Sequence, residues 1–262
     1  MLKHTTIDGL RLAYWTEQDK PDPAKQNLLF VHGSGGDYST WSDQFEGLSD
    51  IGNIFALDLP GHGQSEGEGE EDAGAYAEWV IKAVETIGLH KPVAIGHSLG
   101  AAVCLALAHQ KSCLVSGLVL VGGGAELPVN PSLLEGLKTD PASVIAMAGV
   151  VALARGNRER LSAAVSGQLG RARPEVLYRD FLASSRFDMT ALVLSLTLPT
   201  LVVCGLEDKL APPALSRRLQ EGIPGARLAL IEGAGHFVMW EKPGEFNRTL
   251  GEFINYLEGV YV

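Results

Sequence analysis

Two short runs near the start of the chain, 2–7 and 10–15, alternate polar and apolar positions, and the pair that joins them, Asp8-Gly9, readily takes the positive φ of a tight hairpin turn. The chain therefore opens with antiparallel strands. Six later runs, 27–31, 53–57, 92–95, 115–121, 199–204 and 227–231, are short, continuous and β-branched, the pattern of interior strands covered on both faces. Helical spacing fills the gaps at 41–48, 72–88, 99–110, 212–221 and 243–257. Strand alternating with helix predicts an α/β fold, a mostly parallel central sheet of about eight strands with helices on both faces, because parallel neighbours need long crossovers. Functional residues are then expected at the carboxyl ends of the strands.

The rhythm breaks at 126–198, a long stretch with helical patterns at 143–154 and 159–169 and no strand pattern. It reads as a helical cap inserted after the sixth strand. The expected partition is a core of 1–125 and 191–262 with a cap at 126–190, which suits one α/β domain of 262 residues. The acidic run 66–72 reads as a solvated loop whose last acids favour the following helix N-terminus.

Composition narrows the function classes. Apolar residues at 46% and charged residues at 20% fit a globular chain that buries a full core. A net charge of -10, with no basic stripe, repels phosphate backbones and argues against a nucleic-acid partner. Cys104, Cys113 and Cys204 have no metal-ligand spacing, and neither H-E-x-x-H nor C-x-x-C occurs, so no metal, cofactor or disulfide framework is expected. The N-terminal fifteen residues lack a continuous apolar leader, and the longest apolar run, 144–154, is short of the ~20 residues a bilayer demands. The expectation is a cytoplasmic protein with a small-molecule substrate, no membrane partner, and a monomeric or homodimeric state.

The candidate chemistry centres on Gly96-His97-Ser98-Leu99-Gly100, placed where a strand gives way to a helix. In this G-x-S-x-G setting the turn presents the serine hydroxyl at the helix N-terminus. A serine needs a base to take its proton. Of seven histidines, His236, in the Gly233-Ala234-Gly235-His236-Phe237 loop after the last strand, is best placed. His4, His90 and His109 have no motif context, and His97 is expected to support the turn. A carboxylate must orient the imidazole, and Asp208, in the loop after strand 199–204, fits; Glu207 and Glu126 are positional alternatives. Two backbone amides should stabilise the oxyanion: Leu99 N–H, and Ser34 N–H from His32-Gly33-Ser34-Gly35-Gly36. That glycine-rich loop lacks a phosphate-binding fingerprint.

Together, His32-Gly33, Asp58-Leu59-Pro60-Gly61-His62-Gly63-Gln64-Ser65, the serine elbow, the Asp208 loop and the His236 loop make the chain resemble the α/β-hydrolase superfamily, in its branch of serine esterases and carbon-carbon bond hydrolases. The resemblance implies an α/β-hydrolase fold, the Ser-Asp-His order seen here, and a 58–65 segment that shapes the loop beside the pocket. Ser98 at the elbow disfavours dehalogenase and epoxide hydrolase chemistry, which use an aspartate there. Phe237 stands where the carbon-carbon hydrolases usually carry a tryptophan.

The expected activity is a serine hydrolase that cleaves a small carboxylic ester-like substrate through acyl-Ser98, with His236 as general base and acid and Asp208 orienting it. Carbon-carbon cleavage of ring-fission products and slow-turnover ligand reception are the alternatives. Ester, thioester and lactone substrates share one acyl-serine intermediate and are not separated by sequence. Gly33, Met147, Val151, Leu153, Phe181 and Phe237 are the candidate pocket residues, and Arg155, Arg158, Arg160, Arg171 and Arg173 raise the possibility of an anionic substrate.

Overall fold

The computed structural model describes residues 1–260, with Glu258 and Val260 as backbone only. Eight strands form one sheet: β1 (Leu2–Ile7), β2 (Leu10–Thr16), β3 (Gln26–Val31), β4 (Gly52–Leu57), β5 (Val93–His97), β6 (Gly117–Val121), β7 (Thr200–Gly205) and β8 (Arg227–Ile231). Their order is β1-β2-β4-β3-β5-β6-β7-β8. β1 and β2 pair antiparallel, β2 meets β4 antiparallel, and every other pairing is parallel.

Helices α1 (Ser42–Leu48), α2 (Ala73–Ile87) and α3 (Leu99–Lys111) follow β3, β4 and β5. Between β6 and β7 lie α4 (Pro131–Thr139), α5 (Pro141–Val151), α6 (Arg158–Leu169) and α7 (Pro174–Arg186); α8 (Pro213–Gly222) joins β7 to β8, and α9 (Val238–Glu241) and α10 (Pro243–Val260) follow β8. A bridge between Glu126 and Asp188 closes the base of the four-helix insertion, and Met189 N–H donates to Ala125 O at 2.7 Å beside it. Proline opens α4, α5 and α7, where its missing N–H would have had no helical partner.

Side chains alternate across the sheet with period two. Leu29 and Val31 of β3 pack with α2 and α3, while Leu28 and Phe30 face Trp41, Phe246 and the cap side. The central strands are buried on both faces, as continuous apolar runs require. β8 departs from the expected interior position: it is the sheet edge, and only Ile231 of its five residues is buried. Among the described residues no helix is long and apolar enough to cross a membrane.

Candidate active site

Ser98 sits between the end of β5 and the start of α3 with φ 54 and ψ −115, a conformation that a side-chain-bearing residue seldom adopts. The surroundings hold it there: Ser98 N–H donates to Val121 O at 2.8 Å, and Ala101 N–H donates to Ser98 O at 2.9 Å. The flanking glycines have a steric reason. A Cβ on Gly96 would stand 2.1 Å from Gly100 O, and one on Gly100 would stand 2.3 Å from Val31 O, so neither position admits a side chain. Ser98 is half-buried and opens onto a cavity at the carboxyl end of the sheet.

The His236 ring reaches the same cavity, its Nδ1 2.8 Å from Asp208 Oδ2, with both side chains buried. Asp208 lies beyond β7, and its other oxygen accepts from Leu210 N–H and Ala211 N–H, both at 2.9 Å. The carboxylate therefore holds a proton on Nδ1 and leaves Nε2 as an acceptor, with no hydrogen-bond partner among the described residues. Ser98 and His236 share no hydrogen bond here; such contacts commonly tighten only around bound substrate.

The backbone around His236 is braced from the cap, since His236 N–H donates to Ala152 O at 2.7 Å. Buried Glu241 accepts from Gly235 N–H and Ala154 N–H, each at 2.8 Å, tying the histidine loop to the same cap segment. His97 supports the turn by donating from Nε2 to His236 O at 3.0 Å, and burial keeps its ring well below the ordinary imidazole range, hence neutral. Glu207 accepts from Arg155 N–H at 3.2 Å and Glu126 pairs with Arg218 at 3.1 Å, so neither alternative carboxylate serves His236.

The glycine-rich turn after β3 completes the site. His32 accepts from Leu59 N–H at Nε2 (3.0 Å) and donates from Nδ1 to Gly33 O (2.8 Å), and burial lowers its pKa to about 4. A neutral ring with one donor and one acceptor thus fixes the root of the turn. Neither Ser34 N–H nor Leu99 N–H is engaged in a hydrogen bond among the described residues, and Ser34 lines the cavity. In the 58–65 segment, Asp58 accepts from Tyr38 N–H at 2.6 Å and Gln64 N–H at 2.8 Å, while burial pushes its carboxyl up to about 6. No residue of that segment lines the cavity; its role is one layer further out.

The cavity encloses about 230 Å³ and is mostly apolar. Phe181 and Phe237 form part of its wall, as the sequence suggests, but four other candidates do not. Met147 is 54% exposed on the outer face of α5, and Val151 also lies off the wall; the next residues along, Ala148 and Ala152, face inward, because one helical position turns a side chain by about 100°. Leu153 is wholly buried in the packing between cap and core, and Gly33 lies behind the wall against His97 and Ser98. None of the five arginines lines the cavity: Arg171 pairs with Asp37 at 3.1 Å and Arg173 caps Gly67 O. Lys209 does line it, directly after Asp208 in sequence but with no motif to mark it. Asn130 and Ser184 are further polar wall residues without a motif to mark them.

Comparison with known proteins places the chain in a family. The human protein ABHD8 is 30% identical over 256 residues, covering 87% of this chain and 54% of that protein, so the chain spans about half the length of these curated relatives. A 2-hydroxy-6-oxononadienedioate/2-hydroxy-6-oxononatrienedioate hydrolase from a Pseudomonas species is 26% identical over 246 residues, covering 87% of each chain. Among solved structures, a thermophilic esterase matches with a TM-score of 0.85 at 32% identity, over 98% of this chain and 99% of that one. A model described as the alpha/beta hydrolase family matches residues 28–249, and the chain belongs to that family.

Proposed function

We propose that this protein is a serine hydrolase of small carboxylic esters, with Ser98 as nucleophile, His236 as general base and acid, and Asp208 as the group that orients His236. The observation that carries the reading is the buried 2.8 Å contact between His236 Nδ1 and Asp208, with the ring and the strained Ser98 elbow opening onto one cavity. Similarity to a thermophilic esterase at 32% identity supports it.

In this mechanism Ser98 Oγ attacks the substrate carbonyl as His236 Nε2 takes the hydroxyl proton. Asp208 keeps the proton on Nδ1 and stabilises the imidazolium. The carbonyl oxygen gains negative charge and is met by the Ser34 and Leu99 amides, with the N-terminal end of α3 adding a favourable dipole. His236 then protonates the leaving alkoxide, acyl-Ser98 remains, and water repeats the sequence to release the acid. The apolar wall and small volume suit a modest apolar acyl or alcohol group, with Lys209 available to a polar end.

The test is hydrolysis of p-nitrophenyl esters from acetate to decanoate by wild type and Ser98→Ala, with intact mass after a fluorophosphonate probe. Many turnovers on the shorter esters, a single label, and a fall of about 10⁴-fold or more in Ser98→Ala are expected. The Pseudomonas relative motivates a second reading, carbon-carbon cleavage of a ring-fission product on the same triad. Labelling of wild type without ester turnover would favour it, and turnover that stops near one equivalent would favour a ligand receptor.

A further inference from the structure

Asp180, on cap helix α7, is wholly buried, and a carboxylate in such a place must be fully partnered. Its partners come from three separate parts of the core. Oδ2 accepts from Gly35 N–H at 2.8 Å and lies 2.8 Å from His62 Nε2; Oδ1 accepts from Tyr76 Oη at 2.6 Å. His62 also lies 3.1 Å from Pro60 O through Nδ1, so both ring nitrogens face acceptors and both act as donors. Burial alone would lower the pKa of His62, but the charge and hydrogen bond of Asp180 outweigh it and raise the ring above its ordinary value. The result is a buried ion pair between cap and core.

Gly35 gives this pair a place in the chemistry. Gly36 N–H donates to Gly33 O at 3.0 Å, closing a four-residue turn with Ser34 and Gly35 at its centre. Gly35 has φ +64 while Ser34 is not in the positive region, which is the pattern of a type II turn. Types I and II differ by a flip of the central peptide, here the one that carries Ser34 C=O and Gly35 N–H. A hydrogen bond to Gly35 N–H therefore selects one of the two orientations. On the same helix, the next residue, Phe181, and Ser184 one turn further on line the cavity.

We propose that Asp180 is a positioning residue which, through Gly35 N–H, holds the turn carrying the oxyanion donor Ser34, so that a seated cap and an assembled oxyanion site are one state. This rests on the serine-hydrolase reading above. Asp180 touches neither substrate nor reacting atoms; its effect passes through the turn. A substrate filling the cavity presses on the helix that carries Asp180, and an unseated α7 releases the Gly35 peptide.

Fluorophosphonate labelling tests this without knowledge of the natural substrate, because phosphonylation places a developing oxyanion at the same donors. The maximal labelling rate, kinact, and the half-saturating concentration, KI, are measured for wild type, Asp180→Ala, Asp180→Asn and Val165→Ala, each below its melting temperature. Val165 is buried in α6 away from the cavity wall and is not among the atoms nearest Gly33, Gly35 or Gly36, so its variant serves to loosen the cap rather than the turn. Asp180→Ala should lower kinact about tenfold or more with KI within about twofold. Asp180→Asn, which keeps an acceptor oxygen for Gly35, should recover most of that loss, and Val165→Ala should label like wild type. Asp180→Leu, similar in length and without an acceptor, replaces alanine should the smaller side chain unfold the cap.

An unchanged kinact in a folded variant lacking the acceptor overturns the proposal. So does a loss confined to KI, or a kinact that simply follows melting temperature through Val165→Ala. Failure of wild type itself to label would overturn the serine-hydrolase reading and the positioning role with it, an outcome distinct from the others.

Discussion

Among the described residues are two buried histidine-carboxylate pairs, His236 with Asp208 and His62 with Asp180, and both have N···O distances of 2.8 Å. They differ in what the rest of the ring does. His236 meets its carboxylate through Nδ1, and the ring lines the cavity beside Ser98. His62 uses both nitrogens, one toward Asp180 and one toward Pro60 O, and does not line that cavity. A ring with a free nitrogen is fitted to carry a proton; a ring with both nitrogens donating is held as a cation and serves as a tie. Contact distance and burial alone would not have separated them.

The largest expected effect that sharpens this contrast is on turnover. Asp208→Asn should lower kcat for a p-nitrophenyl ester by about 10⁴-fold, because the amide favours the wrong tautomer of His236, with little change in melting temperature. His62→Gln should lower kcat less than tenfold. Comparable losses from both would mean that the two pairs are not functionally distinct.

Stability should show the reverse order. Withdrawing His62 strands Asp180 as a buried charge, and His62→Gln should cost on the order of 3–5 kcal/mol in urea unfolding. The sign of its pH dependence follows from the raised pKa of folded His62. The folded protein holds the proton more tightly than the unfolded chain, so the contribution is complete below the unfolded value of about 6.5 and declines as pH rises through the folded one. The difference between wild type and variant should therefore narrow toward alkaline pH, and a widening difference would contradict a cationic His62.

A third histidine offers the smallest and opposite effect. His32 is buried and neutral with a pKa of about 4, so the unfolded chain takes up a proton before the folded one does. Its contribution is lost as pH falls from about 6.5 toward 4. His32→Gln, which keeps an acceptor for Leu59 N–H, should flatten the acid side of the stability curve, and an unchanged acid limb would show that His32 is not held neutral.

The cap also separates into legible and illegible parts. The apolar patterns at 143–154 and 159–169 correspond to α5 and α6, but they do not give the phase of α5, which sets Ala148 and Ala152 on the wall and leaves Met147 and Val151 off it. A helix with apolar residues on nearly every side carries little directional signal, and its orientation is set by what packs against it. The arginines lie off the cavity for a related reason: charge in a sequence says nothing about which face it occupies. Lys209 reaches the cavity through the course of the Asp208 loop across the sheet, which no local pattern encodes.

The features legible in the chain are local or periodic. Short apolar runs marked the strands, and strand-turn-helix with glycines two residues to each side of Ser98 marked the elbow, because the backbones cross too closely there for a Cβ. The Asp208 and His236 loops were legible because each follows a strand whose carboxyl end must face the site. Tertiary structure alone decided that β8 is an edge, that α5 turns its alanines inward, and that Asp180 meets Gly35, His62 and Tyr76 across sequence separations of 145, 118 and 104 residues. No repeating pattern links positions so far apart, and a buried carboxylate on an amphipathic helix reads like any solvated one until the packing around it is known.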